Sequence, residues 1–488
     1  MTYPVALIRQ SRARYARHAP FHPSEAFPET PFNAQADGEN EAYASVRELF
    51  RILKYDRQNF DTAAWNPLGW LIKSGETVFL KPNMIEEKHY YKDEWEYVIT
   101  HGSVIRAVID YVFLALKGRG RIIIGDAPST EANFDEIVRR MGLAEIQSLY
   151  RREKNFEIEI IDLRDERWIE KDRVVIDTVR LPGDPRGSVS VNLAADSMFA
   201  ELDEYEKRYY GAFYDIAETN YHHREGRHEY SISKSPLLAD VFISIPKLKT
   251  HKKCGITVNL KSLVGINANK NWLPHYRFGS PETGGDQFET ASARSDLENV
   301  IVRRAKQVLL RKNLVAQTVA RKSKSLAYKF FGGTEEVVRS GNWHGNDTVW
   351  RMALDLNRIL FCAAPDGSMR SGGMTKRYFS VVDGIIAMEG NGPVAGVPKG
   401  TGVLVAGMNP VAVDAVCARL MGFDYQKLPI VARAFDSHAF PLIDAGVESI
   451  EAVSTNAAWD RRLSEWRLPD VFHFEPHFGW KGKVEAES

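Results

Sequence analysis

The stretch from Asp240 to His275 reads DVFISIPKLKTHKKCGITVNLKSLVGINANKNWLPH. Its opening residues, Val241 to Ile245, are a short apolar run with β-branched members, the pattern of a buried strand. Pro246 lacks the N–H that a central ladder needs, so the strand is expected to stop there. Lys247, Lys249, His251, Lys252 and Lys253 follow at once. A buried strand that ends in cations puts positive charge at the mouth of a sheet. Open α/β sheets bind ligands at the carboxyl ends of their strands. The ligand that suits such a mouth is an anion: phosphate, carboxylate or nucleotide.

The same order of residues recurs upstream. Val78 to Leu80 is an apolar strand followed by Lys81, Pro82 and Asn83, and Arg121 to Ile124 is followed by Asp126, Ala127, Pro128 and Ser129. Between them lies a stretch with helical apolar spacing, from Gly102 to Leu116, which Thr100 is placed to cap. Thr130 or Asn133 opens a second helix running to Met141, and Glu157 to Ile161 is a further strand. Strand, helix and strand alternating at this spacing predict βαβ units and a parallel sheet. Before them come a strand at Val5 to Ile8, an irregular arm over 11–45, and a helix from Ala42 to Leu53.

Residues 165–235 are polar and tyrosine-rich, with a hairpin expected from VVIDTVRL and SVSVNL. Residues 276–345 read as an insertion: a Gly/Pro-rich loop, then a basic helix over 297–331. That helix is either a solvated helix packed on the body or a membrane-surface or partner-binding amphipathic helix. A helix over Thr348 to Cys362 leads back to α/β structure: a strand at Tyr378 to Val382, the loop Met388 to Gly396, a strand at Val403 to Ala406, and a helix opened by Pro410. The expected fold is α/β, with mostly parallel sheets, flanking helices, two lobes around a cleft and an inserted basic helical region. Its segments are 1–165, 166–275, 276–345 and 346–488.

Composition narrows the function. The 488 residues carry no net charge and are 44% hydrophobic. A balanced charge argues against nucleic acid as a partner. The three cysteines, Cys254, Cys362 and Cys417, form no C-x-x-C, so no iron–sulfur cluster is expected. Sparse cysteines suit a reducing, cytoplasmic compartment, and no leader or membrane span is expected.

Three strand ends present polar groups: Lys81 and Asn83, Asp126 and Ser129, and Lys247, Lys249 and His251. Parallel strands would bring them to one edge, together with the loops carrying Asp383, Glu389, Asn391 and Gly392. Lys81, Asn83, Ser129, Lys247, Lys249, Asn259, Asn391 and Gly392 are therefore candidate anion contacts. The glycine loop GNGPVAG could cradle an anion with backbone N–H groups or serve as a tight turn. His251 can act as a base or a metal ligand. Lys261, ten positions on, can act as a nucleophile if its pKa falls. Asp126 and Glu389 are candidate proton carriers. His275, His251 and Asp383 are candidate metal ligands for nickel or zinc, and Asp126, Asp383, Glu389 and Asp414 form an oxygen-rich set that would favour magnesium.

The runs VFLKPN, GDAPSTEANFDEIVRRMG, PKLKTHKKCGITVNLKSLVGI, VVDGIIAMEGNGPVAG and AGMNPVAVDAVCARLMGFD, in this order, resemble the bacterial family catalogued as domain of unknown function 362. Many members carry a ferredoxin-like cysteine module, which this chain lacks. The central stretch also resembles, more distantly, the nickel-pincer lactate racemase family. That resemblance implies that His251 matches a catalytic histidine, that Lys261 carries a pyridinium-derived cofactor covalently, and that His275 ligates its nickel. Where that family has a second catalytic histidine, this chain has Asp126.

The leading expectation is an enzyme that holds a small anionic substrate on Lys81, Lys247 and Lys249. Lys261 would be its covalent or electrostatic centre, and His251 with Asp126 or Glu389 would move the proton. The resemblance implies racemase or epimerase chemistry, or a related hydride transfer by an oxidoreductase. The alternatives are a non-catalytic anion-binding or membrane-surface accessory protein, and a divalent-metal-dependent transferase.

Overall fold

Each short apolar run upstream and downstream of the central stretch becomes a strand covered on both faces. In the computed structural model, which describes residues 2–171, 174–205, 208–211, 215–290 and 337–487, ten strands share one sheet. They are β1 (Tyr3–Arg9), β2 (Thr77–Pro82), β3 (Arg121–Asp126), β4 (Ile158–Asp162), β5 (Val241–Ile245), β6 (Lys247–His251), β7 (Gly255–Thr257), β8 (Arg377–Glu389), β9 (Val397–Gly407) and β10 (Ile450–Ser454). The order across the sheet is β10-β1-β9-β8-β5-β2-β3-β4, with β6 continuing beside β8 and β7 folding back on β6. From β8 to β4 all neighbours are parallel. β9 runs antiparallel to both β8 and β1. The α/β architecture with a mostly parallel sheet is thus the one expected, but its N- and C-terminal parts meet in a single sheet with β5 between them.

Alternate residues of each strand feed two separate cores, one on each face. Val78, Leu80, Ile122, Ile124, Val241 and Ile243 enter one core, and Phe79, Ile123 and Phe242 enter the other. Strands buried on both faces explain why the runs are continuously apolar rather than alternating. Phe79, Phe242 and Tyr378 stand side by side in register, with ring centroids 5.6 Å and 6.2 Å apart.

β5 stops at Ile245, as expected at Pro246, and a separate strand, β6, begins at Lys247. Pro246 withholds a donor, but its carbonyl still accepts from the Asp383 amide at 2.8 Å, and β6 goes on pairing with β8 across a bulge. Lys247 to His251 is therefore buried strand, not an exposed mouth. Thr100 does not cap the Gly102–Leu116 helix. His101 does so through its ring nitrogen, while the Thr100 hydroxyl bridges the Asn83 amide and the Ile245 carbonyl. Asn133 and Pro410 sit at helix starts as expected, and Asn409 caps the helix that Pro410 opens. The expected hairpin is split: Val174–Arg180 pairs with Glu166–Lys171, and Ser188–Asn192 pairs with Arg227–Ser233. The basic helix expected at 297–331 lies outside the described residues. Among those described, no helix is long and apolar enough to cross a membrane.

The irregular arm is pinned by a buried ion pair. Lys247 Nζ donates to Asp383 Oδ2 at 2.8 Å and to the Tyr15 hydroxyl at 2.7 Å. Tyr15 in turn donates to Asp383 Oδ1 at 2.6 Å, and its ring stacks on His101 with centroids 4.0 Å apart. Both charged side chains are 0% exposed. Removing one partner of such a pair leaves the other charge buried and uncompensated. Asp383→Asn is expected to lower unfolding free energy by about 3–5 kcal/mol, read from urea denaturation, and adding Lys247→Met should restore part of the loss. An unchanged urea midpoint in Asp383→Asn would show that the pair contributes nothing.

Candidate functional site

The parallel neighbours β2 and β3 end at the same edge, so Lys81 and Asp126 meet there at 2.8 Å. β6 runs alongside and supplies Lys249 and His251. The β6–β7 hairpin then returns the chain to the helical turn Asn259–Ser262, which carries Lys261, and Lys270 follows. These side chains line one cavity of about 70 Å³, together with Asn83, Thr257, Ser262, Gly265 and Pro393. The lining holds four lysines and a single carboxylate.

The four lysines are held differently. Lys81 Nζ contacts Asp126, the Ser262 hydroxyl at 3.2 Å and the Pro82 carbonyl at 3.3 Å. Lys249 Nζ donates to the Val98 carbonyl at 2.7 Å, and to Asn83 Oδ1 and the Pro393 carbonyl at 3.2 Å each. Three acceptors use the three N–H bonds of an ammonium, so neither nitrogen has a hydrogen left for a guest. Lys270 Nζ donates to the Val264 carbonyl at 3.3 Å. Among the described residues Lys261 makes no hydrogen bond or ion pair, and it is the half-buried one of the four.

Burial and mutual repulsion act on Lys249, Lys261, Lys270 and His251. Burial holds Lys249 well below the usual lysine range, and the nearby Lys247 and Lys261 add to the effect. Burial also lowers Lys261; Cys254 and Asp126 resist this and Lys81 reinforces it. Lys270 is lowered to about 7 by burial, resisted by Asp126 and reinforced by Lys81, Lys261 and Arg164. His251 is pushed well below the usual imidazole range by burial and by Lys261, Lys252 and Lys249. Its Nδ1 accepts the Lys253 amide at 3.0 Å, so the neutral ring carries its proton on Nε2.

Local structure fixes these positions. Asp414 accepts the amides of Asn259 and Leu260 at 2.9 Å each, and Asn357 donates to the Leu260 carbonyl at 2.8 Å, so the turn bearing Lys261 is held from both ends. Gly265 lies against the Lys81–Asp126 pair: a Cβ there would stand 1.7 Å from Asp126 Oδ1.

Other residues expected at the site sit elsewhere. Lys247 and Asp383 neutralise each other away from the cavity. Asn259 is consumed by Asp414, Tyr378 and Ser380. Ser129 donates to Glu86. Glu389 pairs with Lys399 at 2.6 Å, so it cannot carry a proton at the cavity. The glycine loop is a packing turn. The Gly390 and Gly392 amides donate to Glu475 and Gly390 carbonyls, and a Cβ at Gly392 would stand 2.1 Å from the Thr250 carbonyl oxygen. Asn391 lies in the same loop, outside the cavity lining. His275 also lies outside the lining; its Nδ1–H donates to the Leu273 carbonyl at 2.9 Å. Among the described residues no three His, Cys, Asp or Glu side chains cluster to hold a metal. The magnesium set fails because Asp126, Asp383 and Glu389 each already face a lysine and Asp414 faces amides.

Lys270, Thr257, Ser262 and Gly265 were not singled out from the sequence. Lys270 was legible only as one more lysine of the central stretch, in the polar run NANKN. No sequence pattern separated it from Lys252.

The family model described as Domain of unknown function (DUF362) matches residues 78–194 and 194–419, well over half the chain. The chain belongs to the DUF362 family. The matched span of DUF362 includes every lysine of the cavity. No curated protein matches the chain.

Two outcomes follow from this geometry. Gly265→Ala is expected to displace the Asp126 carboxylate and cost about 3 kcal/mol or more, whereas Gly38→Ala, with nothing within 4 Å of its Cβ, should be nearly neutral; urea midpoints compare them. Lys270 binds fewer protons folded than unfolded between about pH 7 and the ordinary lysine value near 10.4. Its burial therefore destabilises the chain below that window, and the penalty fades as pH rises through it. Lys270→Met should be more stable than wild type at about pH 6 and converge with it near about pH 10.5, as urea titrations at the two pH values would read.

Proposed function

We propose that this DUF362 chain is an enzyme that takes a small anionic substrate into the lysine-lined cavity and moves a proton on it. The observation that supports this reading most is the charge imbalance: four lysine side chains, one carboxylate, and that carboxylate already paired with Lys81. Gathering cations in a site of low dielectric costs free energy, and a bound anion would relieve that cost. Lys81 and Lys249 line the site with their nitrogens already engaged by protein oxygens. Lys270 and Lys261, whose N–H groups remain available, are the direct contacts.

Within this reading His251 carries the proton. Its Nε2–H donates, and its low basicity keeps it neutral at neutral pH. Isomerase chemistry of the racemase or epimerase kind, at a carbon beside the anionic group, is the reaction class in keeping with the lactate racemase resemblance. That resemblance would also have Lys261 carry a cofactor and His275 ligate a metal. The free Lys261 amine suits attachment. The metal donors do not fit, because His251 accepts an amide at Nδ1 and His275 stands outside the lining. No step is therefore drawn through such a group.

The test is calorimetric titration with lactate, malonate and inorganic phosphate. At least one should bind, more weakly as salt rises, and Lys270→Met should weaken it about tenfold or more, the loss of one charge-assisted hydrogen bond. Lys73→Met, at an exposed lysine outside the lining, should leave binding in place. Absence of binding by all three anions would remove the proposal.

A further inference from the structure

The proposal of an anion-binding enzyme leaves open what kind of anion it takes, and Lys261 bears on that. Three of the four cavity lysines have their nitrogens engaged by protein oxygens, completely in Lys81 and Lys249 and partly in Lys270. Lys261 has no such partner among the described residues. A lysine meant only to contribute positive charge would gain from a carboxylate or carbonyl beside it, as its three neighbours do. Instead its turn is clamped by Asp414 and Asn357, and its amine is left free on the cavity wall.

A free amine on a clamped turn, set among other cations in a pocket where burial lowers its pKa, is the arrangement that activates lysine as a nucleophile toward carbonyl carbon. Neighbouring ammonium groups favour the neutral amine, and they also hold the anionic end of a substrate. His251 supplies an N–H donor to the lining of the same cavity. Resting on the anion-binding reading, we infer that Lys261 captures a short 2-oxo acid as an imine, with Lys270 holding its carboxylate. The cavity of about 70 Å³ suits an acid of a few carbons.

The step balances without an oxidant or reductant. Lys261 first releases one proton from its ammonium. The neutral nitrogen adds to the carbonyl carbon and the carbonyl π pair moves to oxygen, which accepts a hydrogen bond from His251 Nε2–H and takes the proton that the attacking nitrogen gives up. The hydroxyl then takes the proton that the Lys261 ammonium released and leaves as water, and the nitrogen lone pair forms the C=N bond. The sum is one carbonyl and one ammonium giving one protonated imine and one water. The imine acidifies the C–H at C3, next to the imine carbon, so proton exchange at that carbon is the chemistry it opens.

The full chain is incubated with pyruvate and sodium cyanoborohydride at neutral pH, then analysed by intact mass and peptide mapping. In parallel, thermal shifts are read with pyruvate and with lactate, which has no carbonyl to trap. A lysine whose pKa falls has a larger neutral fraction, so Lys261, which burial lowers, should be modified before the exposed lysines. One reduced adduct per chain, mapped to the peptide containing Lys261 and missing from Lys261→Arg, is the expected result. The wild-type peptide map stands even if that variant does not fold. Thermal shifts by both acids without an adduct at Lys261 overturn the imine and leave the anion-binding reading intact. Adduct spread evenly over exposed lysines has the same meaning. No thermal shift by either acid and no adduct overturn both.

Discussion

A buried ammonium group must be compensated, and the way each lysine of this chain is compensated organises the whole site. Lys81 meets Asp126 because β2 and β3 are parallel neighbours that end together. Lys249 has no carboxylate beside it and is held by three neutral oxygens from three different segments. Those contacts draw the Asn83 turn, the Val98 loop and the glycine loop at Pro393 onto one strand. Lys270 and Lys261 are progressively less satisfied. The cavity is therefore a graded set of cations, from fully engaged to free, and the free end is where a guest would be felt most.

A second buried charge pair stands apart. Lys247 and Asp383 pair one step back along β6 from Lys249, with Tyr15 as the third member. Lys247, Lys249 and His251 stand two residues apart along one strand, yet they go to different uses: Lys247 anchors the N-terminal arm, and Lys249 and His251 line the cavity. Small residues make these approaches physically available. Gly265 leaves room for Asp126 beside Lys81, and Gly392 lets its loop lie against the backbone of β6.

Legibility in the sequence followed burial. β2, β3 and β5 were readable because strands covered on both faces need apolar runs, and Val78 to Leu80, Ile122 to Ile124 and Val241 to Ile243 have them. The edge strand β10 and the partners of the Val174–Arg180 hairpin were not, since half-exposed strands carry mixed residues and their pairing depends on distant segments. At the site, Lys81, Asp126, Lys249, His251 and Lys261 were all recognisable as polar residues at or just after strand ends. Lys247, Asn259 and Glu389 looked equivalent to them. Each was removed by a partner 136, 155 or 10 positions away in the chain, and the more distant of these contacts no local pattern encodes.

By itself the sequence determined that the chain builds a mostly parallel α/β sheet, that lysines follow its strands, and that the family is DUF362. These are properties of short runs and of their order, and local preferences and motif matching read both. Only the tertiary structure decided which lysine is neutralised, which is held by neutral oxygens and which is left free. That outcome depends on whether a carboxylate or carbonyl from a remote segment comes within about 3 Å of each nitrogen, and separation in sequence carries no such information.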